Sequence, residues 1–168
     1  MSVFTKDILD LAGSILHTCR EQGLMLATAE SCTGGLIATC FTEIAGSSTV
    51  FDRGFVTYSN EAKQEMLGVK AATLSQFGAV SRETAMEMAL GALAHSKAHI
   101  SISVTGIAGP GGGSVEKPVG LVHIAIATLN GVLDHVEYRF VDLDRATVRM
   151  MALRSSLGMG NQFLSRSL

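Results

Sequence analysis

Ser31 and Cys32 stand side by side in the stretch TAESCTGG, residues 28–35, where an apolar run gives way to glycines. Either side chain can act as a nucleophile in acyl transfer. At a strand-to-helix turn, the unpaired amides of the helix N-terminus favour developing negative charge. Thr33 and Gly34 belong to the same turn, and glycines 34 and 35 would let a substrate come close to the backbone. A serine here is equally suited to cap the helix that follows, so the spacing leaves both roles open. Cys32 would gain from the same helix end. A thiol nucleophile wants a histidine partner, however, and His17, His95, His99, His123 and His135 all fall within expected helices or strands. The stretch is not a GxSxG elbow.

A base for Ser31 is offered by TYSNEAKQEML, residues 57–67. Tyr58 should end a strand, and Lys63 should lie in the first turn of a short helix capped by Asn60. A lysine accepts a proton only when neutral. Bringing it to neutrality near physiological pH costs on the order of 4 kcal/mol of differential interaction. Burial and a helix N-terminus both work in that direction. The alternative is a solvated lysine on an exposed face.

Anion-binding groups are available too. VTGIAGPGGGS, residues 104–114, holds Thr105, Gly106 and five glycines in all. Such a loop either cradles an oxyanion or phosphate or simply connects two strands. It has neither the GK[ST] of a P-loop nor GxGxxG. Arg145 follows Asp142 and Asp144, and could clamp an anion or pair with those acids. Ser48, within AGSST, has a hydroxyl for a phosphate or for a turn.

The elements that must position these groups follow from periodicity. Residues 4–22 predict an amphipathic helix stopped at Gly23, and LMLAT (24–28) a buried strand. Residues 32–41 predict a helix, EIAGSSTV a loop, and FVTYS a strand. A helix is expected from Ser81 to about Ser96, a strand at His99–Thr105, and a final helix from about Asp144 to Leu157. LVHIAIATL and VLDHVEYRFV flank Asn130-Gly131, a strong hairpin signal. Helices alternating with strands, then a late hairpin, predict an α/β fold: a three-layer α/β/α sandwich with a mixed sheet. The whole chain, residues 1–168, reads as one domain.

Composition narrows the function. The net charge is −2, from 13 basic and 15 acidic residues, without a basic stripe. That argues against nucleic-acid binding over the surface as a whole. No apolar run has the length of a membrane span and no secretory layout opens the chain. Three cysteines, none in a CxxC, fit a reduced cytoplasmic setting, and no His/Cys cluster has zinc spacing.

Taken together and in order, TAESCTGGLIA, AGSS, VTYSNEAK, GAVS, SVTGIAGPGGG and EKPVG resemble the CinA C-terminal domain family, over about residues 26–149. Its members resemble, or are, nicotinamide-nucleotide amidohydrolases. The resemblance implies hydrolysis of the carboxamide of nicotinamide mononucleotide, in pyridine-nucleotide salvage, with no metal or cofactor. It places the serine nucleophile at Ser31 and its activating partners at Lys63 and Tyr58. Its substrate contacts fall on Ser48, Thr105, Gly106 and Arg145, and Thr33 and Gly34, in the turn beside Ser31, are expected to join them. Arg53 and Leu143 stand where the family pattern has glycine. The length matches the stand-alone form, and a homodimer or larger homo-oligomer is expected. Two other classes remain: an amidase for a different small amide, and a non-catalytic nucleotide-binding module of the competence or damage-inducible kind.

Overall fold

A computed structural model of the chain describes residues 2–131 and 133–166. Five strands form one sheet: β1 (Leu26–Glu30), β2 (Phe51–Val56), β3 (Ile100–Gly106), β4 (Leu121–Thr128) and β5 (Leu133–Arg139). Their order is β2-β1-β3-β4-β5. β1 runs parallel to β2 and β3, whereas β4 is antiparallel to β3 and β5. Helices cover both faces, so the α/β/α sandwich with a mixed sheet is the architecture observed. The late hairpin is the β4–β5 pair, with Ala127 opposite Leu133. Val132, the first residue of its expected second strand, lies outside the described residues.

One face is built from large aliphatics. Leu26, Ile100, Ile102, Val104, Ile124 and Ile126 pack against α1 (Lys6–Glu21), α2 (Leu36–Thr42) and α6 (Arg145–Arg166). Each such side chain contributes about 1.5–3 kcal/mol by leaving water. The other face carries Ala27, Ala29, Ala125 and Ala127, beneath Ala85, Met88, Ala89 and Ala92 of α5 (Arg82–Ala94). Small residues let α5 lie close. Ser101 Oγ donates to Ala89 O at 2.7 Å and Ser103 Oγ to Ala85 O at 2.6 Å, so the buried hydroxyls stay satisfied. α3 (Asn60–Leu67) and α4 (Ala71–Phe77) pack against α5.

Several boundaries differ from expectation for identifiable reasons. Residues 32–35 form a turn, and α2 begins only at Leu36 behind Gly35, whose φ is 96°. The cap of α3 is Ser59, accepting from Ala62 N at 3.0 Å, not Asn60. α5 starts at Arg82, one residue after the expected Ser81, which caps it, its Oγ accepting from Thr84 N at 3.1 Å. α6 continues past Leu157 to Arg166 because Met159, Phe163 and Leu164 extend its buried stripe across Gly158 and Gly160. Among the described residues, no helix is long and apolar enough to cross a membrane.

Candidate active site

The three parallel strands deliver their carboxyl ends to one edge of the sheet. Ser31 leaves β1, Thr57 and Tyr58 leave β2, and Thr105-Gly106 close β3. That edge is where open α/β sheets bind ligands. A cavity of about 180 Å³ opens there, lined by Ser31, Cys32, Tyr58, Lys63, Ala79, Val80, Thr105, Gly106, Ala108 and Arg145. No carboxylate lines it.

Lys63 is the most unusual group in the cavity. It projects from the fourth position of α3 and is only 1% exposed. Its Nζ lies 3.0 Å from Ser31 Oγ and donates to Thr57 O at 2.8 Å, with Tyr58 O at 3.5 Å. Among the described residues, no acid forms an ion pair with it. Burial holds its pKa below the ordinary lysine value, with the nearby Cys32 thiol opposing weakly. A neutral amine has two N–H donors and one lone pair. Here two carbonyls and one hydroxyl surround the nitrogen: a neutral amine can donate to the carbonyls and accept from the hydroxyl, and an ammonium can donate to all three.

The turn beneath the serine is held from behind. Glu30, fully buried at the end of β1, accepts from Gly35 N at 3.1 Å, Ile37 N at 3.1 Å and Ala38 N at 2.8 Å. These are the orphan amides of α2, so an internal carboxylate already occupies the helix end. The expected use of that end for an oxyanion is therefore corrected: Glu30 takes it. Ser31 is not the cap either. Arg149 secures the same turn, donating from Nε to Cys32 O at 3.1 Å and from Nη2 to Thr33 O at 3.0 Å. Cys32 is buried in the cavity wall, and desolvation pushes its thiol up to about 12, which disfavours the thiolate a nucleophile needs.

The other predicted residues separate into two groups. Tyr58, 62% exposed, stands at the rim, where its hydroxyl accepts from Arg145 Nη2 at 3.0 Å. Arg145, the first residue of α6, also donates from Nη1 to Gly109 O at 2.7 Å. Thr105 Oγ1 donates to Ala79 O at 2.7 Å. Gly106 has to be glycine: a Cβ there would meet Leu121 O and Val122 Cγ2 at 2.8 Å. Thr33, Gly34 and Ser48 do not line the cavity. Thr33 is fully buried, its Oγ1 without a protein partner, and Gly34 sits under Arg149. Ser48 lies exposed in the turn before β2, at the opposite end of a six-residue strand about 20 Å long.

Neither departure from the family pattern falls on a lining residue. Arg53 binds Asp52 and the His95 carbonyl. Leu143 is a partly exposed residue just before α6. Sequence reasoning missed Glu30 and Arg149. An acid inside an otherwise apolar strand, and an arginine four residues after Arg145 on one helix face, were the available signals. Among the described residues, no group of three His, Cys, Asp or Glu is placed to hold a metal ion.

Residues 9–164 match the model of the CinA C-terminal domain. The chain belongs to that family. Within it, the chain is similar to nicotinamide-nucleotide amidohydrolase PncC of Enterobacter agglomerans, 50% identical over 90% of this chain and 92% of that protein. The PncC of Shigella flexneri is 46% identical, over 96% and 98%. A putative competence-damage inducible protein of Caldicellulosiruptor saccharolyticus is 52% identical over 85% of this chain. Only 34% of that longer relative is spanned. Among solved structures, the competence/damage inducible protein CihA of Agrobacterium tumefaciens matches with a TM-score of 0.93 at 58% identity, covering 95% of this chain and 96% of that one. A CinA superfamily protein from Klebsiella pneumoniae matches at 0.90 and 34%, over 95% and 98%.

Proposed function

We propose that this CinA-family domain hydrolyses the carboxamide of nicotinamide mononucleotide to nicotinate mononucleotide and ammonia, with Ser31 as nucleophile. The observation that carries the reading is a buried amine, unpaired with any acid, 3.0 Å from a serine oxygen. Relatives called nicotinamide-nucleotide amidohydrolase, matching nearly end to end, supply the substrate.

Neutral Lys63 takes the Ser31 proton as Oγ attacks the amide carbon. The tetrahedral oxyanion is held by the turn amide at Cys32, which Glu30 leaves open, where one donor is worth about 10²–10³ in rate. As the intermediate collapses, the Lys63 ammonium returns its proton to the amide nitrogen. The C–N bond breaks, ammonia leaves, and an acyl-enzyme ester remains. Water then attacks, Lys63 again accepting a proton and passing it back to Ser31 Oγ as the carboxylate departs.

The cavity suits an aromatic ring bearing a carboxamide, and it is smaller than the usual whole-ligand site. Ribose and phosphate therefore lie at the rim, where Tyr58 orients Arg145 and Arg145 meets the phosphate. A role for Ser48 needs a second copy of the chain to present it, in keeping with a homodimer. The setting is a reduced cytoplasm and the pathway is pyridine-nucleotide salvage.

The test is ammonia release by purified protein, with chelator present, from nicotinamide mononucleotide, nicotinamide riboside and nicotinamide. The nucleotide should be the preferred substrate, since it alone offers Arg145 a phosphate. Calorimetric binding of the nucleotide without turnover would contradict the scheme and favour a regulatory module.

A further inference from the structure

Two sequence motifs, GAVS (Gly78–Ser81) and EKPVG (Glu116–Gly120), have no part in the scheme above, yet they meet in space. Lys117 Nζ reaches across from the glycine-rich loop to donate to Val80 O at 2.8 Å and to Phe77 O. Phe77 ends α4, so its carbonyl is among those a helix leaves unpaired, and a cation suits it. Gly78 stands directly under the ammonium, where a Cβ would lie 3.2 Å from Nζ.

Every carbonyl of this irregular segment is held by a side chain. Gly78 O accepts from Ser81 Oγ at 3.0 Å and Thr84 Oγ1 at 2.8 Å, and Ala79 O accepts from Thr105 Oγ1 at 2.7 Å. Lys117 supplies the remaining two, at either end. Ala79 and Val80 form one wall of the cavity. The loop that carries Lys117 is itself folded tight. Ile107 N bonds Leu121 O at 2.9 Å, Gly120 N bonds Ile107 O at 2.7 Å, and Gly109 and Gly113 pack against Val119. It is a braced element, and Lys117 is its contact with the opposite wall.

We infer that Lys117 is a positioning residue for the active site: it fixes the Ala79–Val80 wall against which the bound amide rests, so that the wall's fit to substrate depends on its two hydrogen bonds. This builds on the amidohydrolase reading but is separable from it. Lys117 touches no reacting atom, and its loss should weaken ground-state and transition-state binding alike, raising KM more than it lowers kcat.

The experiment compares wild type, Lys117→Met and Lys117→Arg in ammonia release from nicotinamide mononucleotide, with hydrogen–deuterium exchange followed over residues 77–84. Lys117→Met should raise KM by about tenfold or more, as expected for losing charge-assisted bonds, with kcat changed by less than about threefold. Exchange should quicken in 77–84 and not in β1 or β3, and Lys117→Arg should recover most of the KM. An unchanged KM with unchanged exchange would overturn the inference. So would a global loss of protection in Lys117→Met, or an arginine variant no better than methionine. Should wild type release no ammonia, the amidohydrolase reading falls, while the exchange comparison still decides whether Lys117 holds the wall.

Discussion

Against β3, α1 and α6 bring Ile15, Leu16, Leu153 and Leu157, whereas α5 brings Ala85, Ala89 and Ala92 to the other side of the same strand. The two faces solve different problems. The aliphatic face fills volume with flexible side chains that yield a little when disturbed. The small-residue face brings backbones together, so α5 and α3 are placed by contacts between atoms that cannot yield. Lys63 rides on α3, and the proposed mechanism requires its nitrogen to stay about 3 Å from the serine oxygen. Precision at the site is thus drawn from the face with the least hydrophobic mass.

The comparison can be broken at several points. The largest effect belongs to the reacting atoms: Ser31→Ala should lower ammonia release at least about a thousandfold while moving the melting temperature by no more than about 2 °C. A variant that keeps more than a tenth of wild-type turnover would remove Ser31 from the mechanism. Next comes Gly91→Ala on α5, where a Cβ would stand 2.0 Å from Leu67 O at the end of α3. The clash is with backbone, so α3 must move. The expected cost is about 1–3 kcal/mol by denaturant titration, with kcat down about a hundredfold as Lys63 is carried out of reach. Smallest is Gly160→Ala on α6, whose Cβ would meet Ile15 Cδ1 at 2.9 Å, the far end of a flexible side chain. It should cost less than about 1.5 kcal/mol and leave kcat within twofold. Equal kcat losses for the two glycine variants would erase the distinction between the faces.

Much of the site was legible because its residues are chemically conspicuous. A serine after a buried strand, and a tyrosine and lysine just past another, needed only the sheet to bring them together. What was not legible depended on partners distant in sequence. Glu30 caps α2 from five residues before its N-cap position, inside a strand, whereas caps are sought immediately ahead of the helix. That displacement is why Ser31 read as a cap and α2 as starting early. α4 was missed because AATLSQF is short and its N-cap, Lys70, makes no side-chain capping bond. Thr33 and Gly34 were grouped with the substrate because they adjoin Ser31, yet the turn directs them toward Arg149. The last helix was expected to end at about Leu157, yet it runs on through Gly158 and Gly160, and Gly160 is a contact with α1.

The central claim is that the Lys63 amine loses its proton inside the fold more readily than in water. Because its folded pKa lies below 10.5, the buried ammonium destabilises the protein below that folded value, and the penalty fades as pH rises toward 10.5. Relative to Lys63→Met, wild type should therefore gain stability with rising pH through that window. The most direct measurement is the titration of the Lys63 ¹³Cε resonance, assigned by its absence in Lys63→Met and set beside the pH profile of kcat/KM. The account predicts a midpoint below 10.5 that coincides with the rise in kcat/KM. A midpoint at or above 10.5, or a rate indifferent to that titration, would contradict it.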